Sequence, residues 1–305
     1  MASKDKASLS LRMTTGSGSG PGRGAEVVGM DIELGLLGAY LRTDEATAEL
    51  AVRLEEAGYG AVWLAASPPA DLTLVEQLLD ATTRIVVGTS VINVWTADAE
   101  TAAAAYHRIA AKHPDRLLLG IGAGHREIDA EYASPYAKVV AYLDTLTAAG
   151  VPADRLLLAA LGPRMLRLAA DRTAGTLPAQ ATSEHTRRAR EVLGPDKLVL
   201  PGHMAVLDTD VERARTTGRA AVAMPALHIA NYTNNLRRLG FTDDDLTDPG
   251  SDRLIDALVL HGDAAAIAAG IRAELDAGAD HVGLSALGEN PIGTFQAIAR
   301  AVISR

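Results

Sequence analysis

HPDRLLLGIGAGH, residues 113–125, joins a helix ending, a short apolar run and alternating glycines in one stretch of chain. A dinucleotide-binding turn needs G-x-G-x-x-G at the first strand-to-helix junction, with an acidic residue about 20 positions later. Here the glycines are Gly120, Gly122 and Gly124, and the apolar run before them is the fourth of its kind. Spacing and position both reject the dinucleotide reading. On the carboxyl rim of a parallel barrel, where active sites of that architecture are built, such glycines let a ligand approach the backbone or let strands pack closely. The sequence leaves both roles open.

Working outward from this run, short apolar segments recur from Met30 onward, each bounded by Gly, Pro or polar turns and separated by helix-length amphipathic stretches. They are IELGLLG (32–38), AVWLAA (61–66), RIVVGTSVI (84–92), RLLLGIG (116–122), RLLLAAL (155–161), GTLPA (175–179), KLVLPGHMAV (197–206) and HVGLSAL (281–287). Pro178 has no N–H for a ladder and predicts that the sixth strand is short. Thr43 is a candidate cap for a helix carrying Asp44 and Glu45 in its first turn and stopping at Gly58. Gly162 and Pro163 open another, whose inner face uses Met165, Leu168 and Ala169. Eight strands alternating with helices predict an α/β protein, a (β/α)8 TIM barrel over residues 30–305. Residues 208–280, between strands seven and eight, exceed an ordinary connection and predict a helical insertion. Residues 1–29, with GSGSGPGRG, read as a disordered extension or as an over-long start ahead of Met30.

Composition narrows the function. The chain is 48% hydrophobic but only 4% aromatic, which suits helices on a buried parallel sheet. A net charge of −9 argues against a nucleic-acid partner. There is no cysteine, so disulfides, thiolate metal sites and Cys nucleophiles are all excluded. With no apolar stretch of membrane-spanning length and no signal-peptide core, the expected location is cytoplasmic, away from any membrane. The lysines, Lys4, Lys6, Lys112, Lys138 and Lys197, fall in the tail, on helices or at a strand start, where none serves a Schiff-base mechanism. The eight histidines form neither H-x-H nor H-E-x-x-H, so no metal site is expected. G-x-S-x-G is absent as well, which removes the usual serine nucleophile. Such a barrel must borrow its chemistry from a cofactor. LGPRMLRLAADRTAG (161–175) runs from strand five into a helix whose free N–H groups, with Arg164, suit a phosphate; an ordinary capped helix with a solvated Arg fits equally.

GTSVINVW (88–95), HPDRLLLGIGAGHRE (113–127) and LGPRMLRLAADRTAG, in this order and spacing, resemble the luciferase-like barrel superfamily, and within it the branch that uses the deazaflavin coenzyme F420. NYTNNLRRLGFTDDDL (231–246) and GSDRLIDALV (250–259) are similar to a bacterial subgroup of that branch. The resemblance implies an F420-dependent oxidoreductase with an elongated cofactor across the barrel mouth. Its ring would rest on a bulged third strand with a non-proline cis peptide, matched here by Ser90 and Val91, with Asn93 following. Gly122, Gly124 and His125 would line it from strand four, while Gly162, Arg164, Met165 and Thr176 would receive its phosphate. Some relatives carry a catalytic His after strand two; here WLAASPPAD (63–71) offers Ala65, Ala66 and Ser67.

Hydride chemistry asks of the protein orientation and, for some substrates, one proton. The candidate catalytic residues are His125 and Glu127, with His203 also on the expected face and Tyr40 more remote. His125 reads as an acid–base group or as a plain turn histidine, and His107 as structural. NYTNNLRRLG would cover the cofactor, line a homodimer interface or be a helical ornament, and Thr242 should cap the helix of FTDDDL. The expected partner is a small-molecule substrate. An FMN-dependent monooxygenase and a cofactor-binding barrel without turnover are the alternative functions.

Overall fold

The computed structural model describes residues 32–129 and 133–303. The extension expected over residues 1–29 lies outside them. Strands β1 (Leu37–Arg42), β2 (Ala61–Ala65), β3 (Val86–Ser90), β4 (Ile92–Asn93), β5 (Leu117–Gly122), β6 (Leu156–Leu158), β7 (Gly175–Thr176), β8 (Leu198–Val199), β9 (Gly202–Leu207), β10 (Val259–Gly262) and β11 (Val282–Leu287) pair in parallel. The run from β8 to β9 pairs with β7 at its start and with β11 farther on, so the sheet closes on itself as the expected (β/α)8 barrel. Helices α1 (Ala48–Glu56), α2 (Thr73–Ala81), α3 (Ala99–Lys112), α4 (Pro135–Ala148), α5 (Pro163–Arg172) and α6 (Ser183–Leu193) alternate with the strands. Between β9 and β11 lie α7 (Val211–Val222), a π-helical turn (Ala223–Leu227), α8 (Ala230–Arg238), α9 (Asp243–Leu246), α10 (Asp252–Leu258), β10 and α11 (Ala264–Asp276); α12 (Pro291–Ile303) ends the chain.

Strand periodicity divides the apolar residues between two cores. Leu37, Ala39 and Leu41 on β1, Val62 and Leu64 on β2, and Leu117, Leu119 and Ile121 on β5 face the helices. Their alternates face the barrel axis, where Trp63, Val86, Leu118 and Leu157 pack together. Trp63 fills much of that interior. A Cβ at Gly38 or Gly88 would collide with its indole, so these glycines on β1 and β3 make its volume admissible, while a Cβ at Gly283 on β11 would strike the Tyr40 ring beside it. The indole N–H donates to His281 Nε2 at 3.0 Å, and His281 Nδ1 lies 3.0 Å from the carbonyl of Gly35. An indole can only donate, so Nε2 accepts and the proton sits on Nδ1, donating to Gly35. Burial holds His281 neutral by pushing its pKa down to about 4.

Several elements differ from expectation. The first strand is Leu37–Arg42, not 32–38: Gly35, at φ 61°, turns the chain, and Ile32 and Leu34 join the interior cluster instead of pairing. The first helix is capped by Thr47, whose side chain accepts from Leu50 N–H; residues 42–45 form a turn, with Glu45 N–H donating to the carbonyl of Arg42. The seventh strand breaks at Leu200–Pro201, and β10 is an extra strand within the stretch expected to be helical, running beside Met204–Leu207 of β9. Thr242 caps α9 in a capping box with Asp245, as expected.

Two buried histidines make stability depend on acid. His281 and His185 both titrate near 4 in the folded protein, against an ordinary value near 6.5. The unfolded chain therefore binds the extra protons first, and stability falls as pH drops from about 6.5 toward 4. Each histidine should remove about 2 kcal/mol between pH 7 and pH 5. Urea denaturation at the two pH values measures the loss, and an unchanged midpoint would contradict the buried neutral histidines.

Candidate functional site

At the carboxyl ends of the strands a cavity of about 720 Å³ opens, within the range of cofactor and substrate pockets. Its wall includes Ser90 and Val91 at the break between β3 and β4, and the bond joining them is cis, as the resemblance implies. Gly122 and Gly124 line the same cavity. A Cβ at Gly122 would fall on Val91 Cγ2, so this glycine seats the residue after the cis bond. Gly124 adopts φ +60°, and a Cβ there would strike the Asp129 carboxylate. Gly120 faces the Thr89 carbonyl and Leu177 and serves strand packing. The open question about these glycines resolves position by position: Gly120 packs, while Gly122 and Gly124 line the cavity and also make room for the chain's own side chains.

Asp129 braces the loop after β5. Its carboxylate accepts from Asn93 Nδ2 at 2.8 Å and from the His125 N–H at 2.6 Å, while Asn93 Oδ1 accepts from the Trp95 N–H at 3.0 Å. Asn93 thus lines the cavity with both its amide nitrogen and its amide oxygen hydrogen-bonded. His125 sits in the wall with Nδ1 buried and without a hydrogen-bond partner, its ring 5.3 Å from that of Tyr232. Burial lowers its pKa, outweighing the opposite pull of Asp129 and Glu127, so the imidazole is neutral. Burial also raises the two phenols in the wall, Tyr40 and Tyr232, to about 12; a hydrogen bond with Ser90 partly opposes the shift at Tyr40. Both stay protonated at neutral pH and offer hydroxyl hydrogen-bond donors, not phenolates.

The cavity lining also includes Gly162, Arg164 and Met165, after β6. Gly162 is the N-cap of α5 and provides no side-chain cap, while the Arg164 guanidinium stacks on Tyr136 at 3.7 Å from the ring centre. The start of an uncapped helix and a guanidinium held flat on an aromatic ring suit an anionic group. Arg238 of α8 approaches the same place, its Nη2 4.0 Å from where a Gly162 Cβ would lie.

Other expected residues lie elsewhere. Thr176 is buried and donates its hydroxyl to the Leu158 carbonyl at 2.8 Å, off the cavity surface. Glu127 is exposed, outside the lining, with its carboxylate on the Ala230 N–H at 3.0 Å. His203 points away from the barrel axis into a separate cavity, its Nε2 3.0 Å from the buried Glu274 carboxylate. Tyr40, expected to be remote, lines the site. After β2 the wall is Ala65, Ala66 and Ser67, with no titratable group among them; Ala66 and Ser67 adopt φ 62° and 53°, a region that non-glycine residues enter rarely. Asp129, Tyr136, Gln180, Asn231 and Tyr232 were not singled out from the sequence. The signal for Asp129 was its place four residues after His125, and for Tyr232 the NYTNNLRRLG segment expected over the cofactor.

Comparisons agree with this architecture. Residues 37–149 match the family model of luciferase-like monooxygenases. No curated protein matches the chain. Among solved structures, an F420-dependent secondary alcohol dehydrogenase in complex with an F420–acetone adduct is 17% identical, with TM-score 0.68 over 88% of this chain and 98% of that one. A coenzyme F420-dependent tetrahydromethanopterin reductase from Methanopyrus kandleri is 15% identical, with TM-score 0.70 over 88% and 98%. The oxygenating constituent of 3,6-diketocamphane monooxygenase from Pseudomonas putida, in complex with FMN, is 13% identical, with TM-score 0.66 and the same coverage. The fold is therefore the luciferase-like barrel, which F420- and FMN-dependent enzymes among these solved structures share. Among the described residues no helix is long and apolar enough to cross a membrane.

Asn93→Ala should free one oxygen of Asp129 and one N–H of Trp95, destabilising the protein by about 1–3 kcal/mol and loosening the loop that bears His125. Urea denaturation measures the first effect and amide exchange over residues 122–129 the second. Parent-like values in both would remove Asn93 as the brace.

Proposed function

We propose that the protein is a coenzyme F420-dependent oxidoreductase that moves a hydride between the deazaflavin and a small organic substrate. What supports the reading is a single cavity that has the cis Ser90–Val91 junction in its wall and the uncapped start of α5 with Arg164 on another side. These are the demands of an elongated cofactor with a flat ring system at one end and a phosphate at the other. Coenzyme F420 supplies a two-electron hydride carrier that reacts poorly with oxygen.

In this reading Ser90, Val91, Asn93, Gly122 and Gly124 shape the ring site, and Gly162, Arg164 and Met165 the phosphate site. Thr176 takes no part through its hydroxyl, which is already engaged. His125 is the residue to hold or deliver the proton: it lies in the wall, its Nδ1 has no partner, and it is neutral. With Ala65, Ala66 and Ser67 after β2, no acid or base faces it from that strand.

FMN would place similar demands on Arg164 and the Ser90–Val91 junction, and an FMN complex shares the fold. Equilibrium titration with F420, FMN and NADP, followed by fluorescence, separates the cofactors, and F420 should bind tightest. Arg164→Ala should weaken that binding by about 1.5–3 kcal/mol, the usual worth of a hydrogen bond to a charged group. Arg172→Ala, on the same helix but paired with Asp144 at 2.7 Å, should change little. Tighter binding of FMN, or protein that purifies yellow, would favour a monooxygenase instead.

A further inference from the structure

We infer that Glu127 is a positioning residue: its carboxylate anchors the amino end of α8 and thereby holds Tyr232 against His125 in the cavity wall. The inference rests on the reading that His125 serves the reaction.

Helix α8 begins at Ala230 behind Ile229, an N-cap with no side-chain acceptor. The first N–H groups of a helix have no intrahelical partner, and an exposed one is normally satisfied by a Ser, Thr, Asp or Asn at the cap. Here Glu127 Oε1, 103 positions earlier in the chain, accepts the Ala230 N–H at 3.0 Å. The bond holds the Glu127 carboxyl below the usual range, and its negative charge complements the positive end of the helix.

Ala230 is followed directly by Asn231 and Tyr232, the residues through which α8 lines the cavity. The far end of α8 is tied independently: Arg188 Nη1 donates to the Arg238 carbonyl at 2.9 Å, and Asn235 and Leu236 are buried. Glu127 is therefore the tie on the cavity side. The two carboxylates of HREID divide the work, Asp129 bracing the loop inward on Asn93 and Glu127 fastening it outward to α8.

The test uses the full-length protein without cofactor, so a wrong cofactor assignment cannot decide it. The His125 titration is followed by NMR, together with amide exchange at Ala230 and Tyr232. Glu127 and Asp129 on its own loop both raise the His125 pKa by charge, while burial, with Tyr232 facing it from α8, lowers it. Deleting the Glu127 charge alone would thus push the value further down, whereas releasing α8 exposes the ring and pushes it up. Glu127→Ala is expected to raise the His125 pKa toward about 6.5 and to speed exchange at both amides roughly tenfold, the scale of a lost helix cap. Glu127→Gln keeps an acceptor and is expected to leave exchange near the parent value while His125 moves slightly down. Tyr232→Ala is expected to raise the His125 pKa with Glu127 intact. A fall or no change at His125 in Glu127→Ala, unaltered exchange there, or no response of His125 to Tyr232→Ala would each overturn the inference.

Discussion

Everything at the barrel mouth depends on how the barrel is filled below it. A closed parallel barrel of this size has no pore, because side chains occupy its axis. Here one large aromatic residue does most of that, and it brings a polar atom into the interior. The Trp63 N–H cannot be left unsatisfied there without a cost of about 1–3 kcal/mol. His281 accepts it at Nε2 and donates its Nδ1–H to the Gly35 carbonyl, which fixes the tautomer. Gly38 and Gly88 complete the arrangement by vacating the space that the indole occupies, and Gly283 does the same for the Tyr40 ring beside it.

With the lower interior occupied by Trp63 and its neighbours, the rim becomes a cavity with a solid base. Tyr40 shows the join, since its ring packs against the indole with centroids 6.5 Å apart while it also lines the site above. The alternation that sends Leu119 and Ile121 of β5 outward sends Gly120 and Gly122 inward. The first of these glycines meets Leu177 and closes the interior; the second seats Val91, and with it the cis bond. One period-2 pattern therefore serves packing at one residue and shapes the site at the next.

Strands β2, β5 and β11 were legible because a buried parallel strand writes itself as a short apolar run between turns. The start of α5 was equally plain in Gly162 and Pro163. The first strand was misplaced because Ile32 and Leu34 are as apolar as paired residues; they plug the barrel's amino end, and only the left-handed Gly35 distinguishes the two cases. β10 escaped notice because VLHG continues the apolar pattern of α10, and four residues carry too little periodicity to separate strand from helix. In the site, the positions carried by local motifs were readable. Tyr232 and Arg238 lie in NYTNNLRRLG, one of whose expected places was over the cofactor, but which of its side chains reach the cavity region depends on tertiary packing that local spacing does not encode. Thr176 fell the other way: its place at a strand end was read correctly, but the Leu158 carbonyl already takes its hydroxyl.

The distribution of polar groups around the cavity constrains any chemistry there. After β2 the chain offers methyl groups and one hydroxyl, whereas His125 and Asp129 after β5 and the phenols of Tyr40 and Tyr232 are titratable groups of the lining. Tyr40 and Tyr232 hold their protons too tightly near pH 7 to exchange them without strong help, since burial lifts both to about 12. His125 is poised in the opposite sense: neutral, facing the cavity, with one ring nitrogen unclaimed. In the proposed reaction a neutral imidazole there would be able to accept a proton, and burial, which disfavours its cation, would favour giving it back. The same burial that sets this balance is contributed in part by Tyr232, so the insertion between β9 and β11 belongs to the site and is more than an ornament on the barrel.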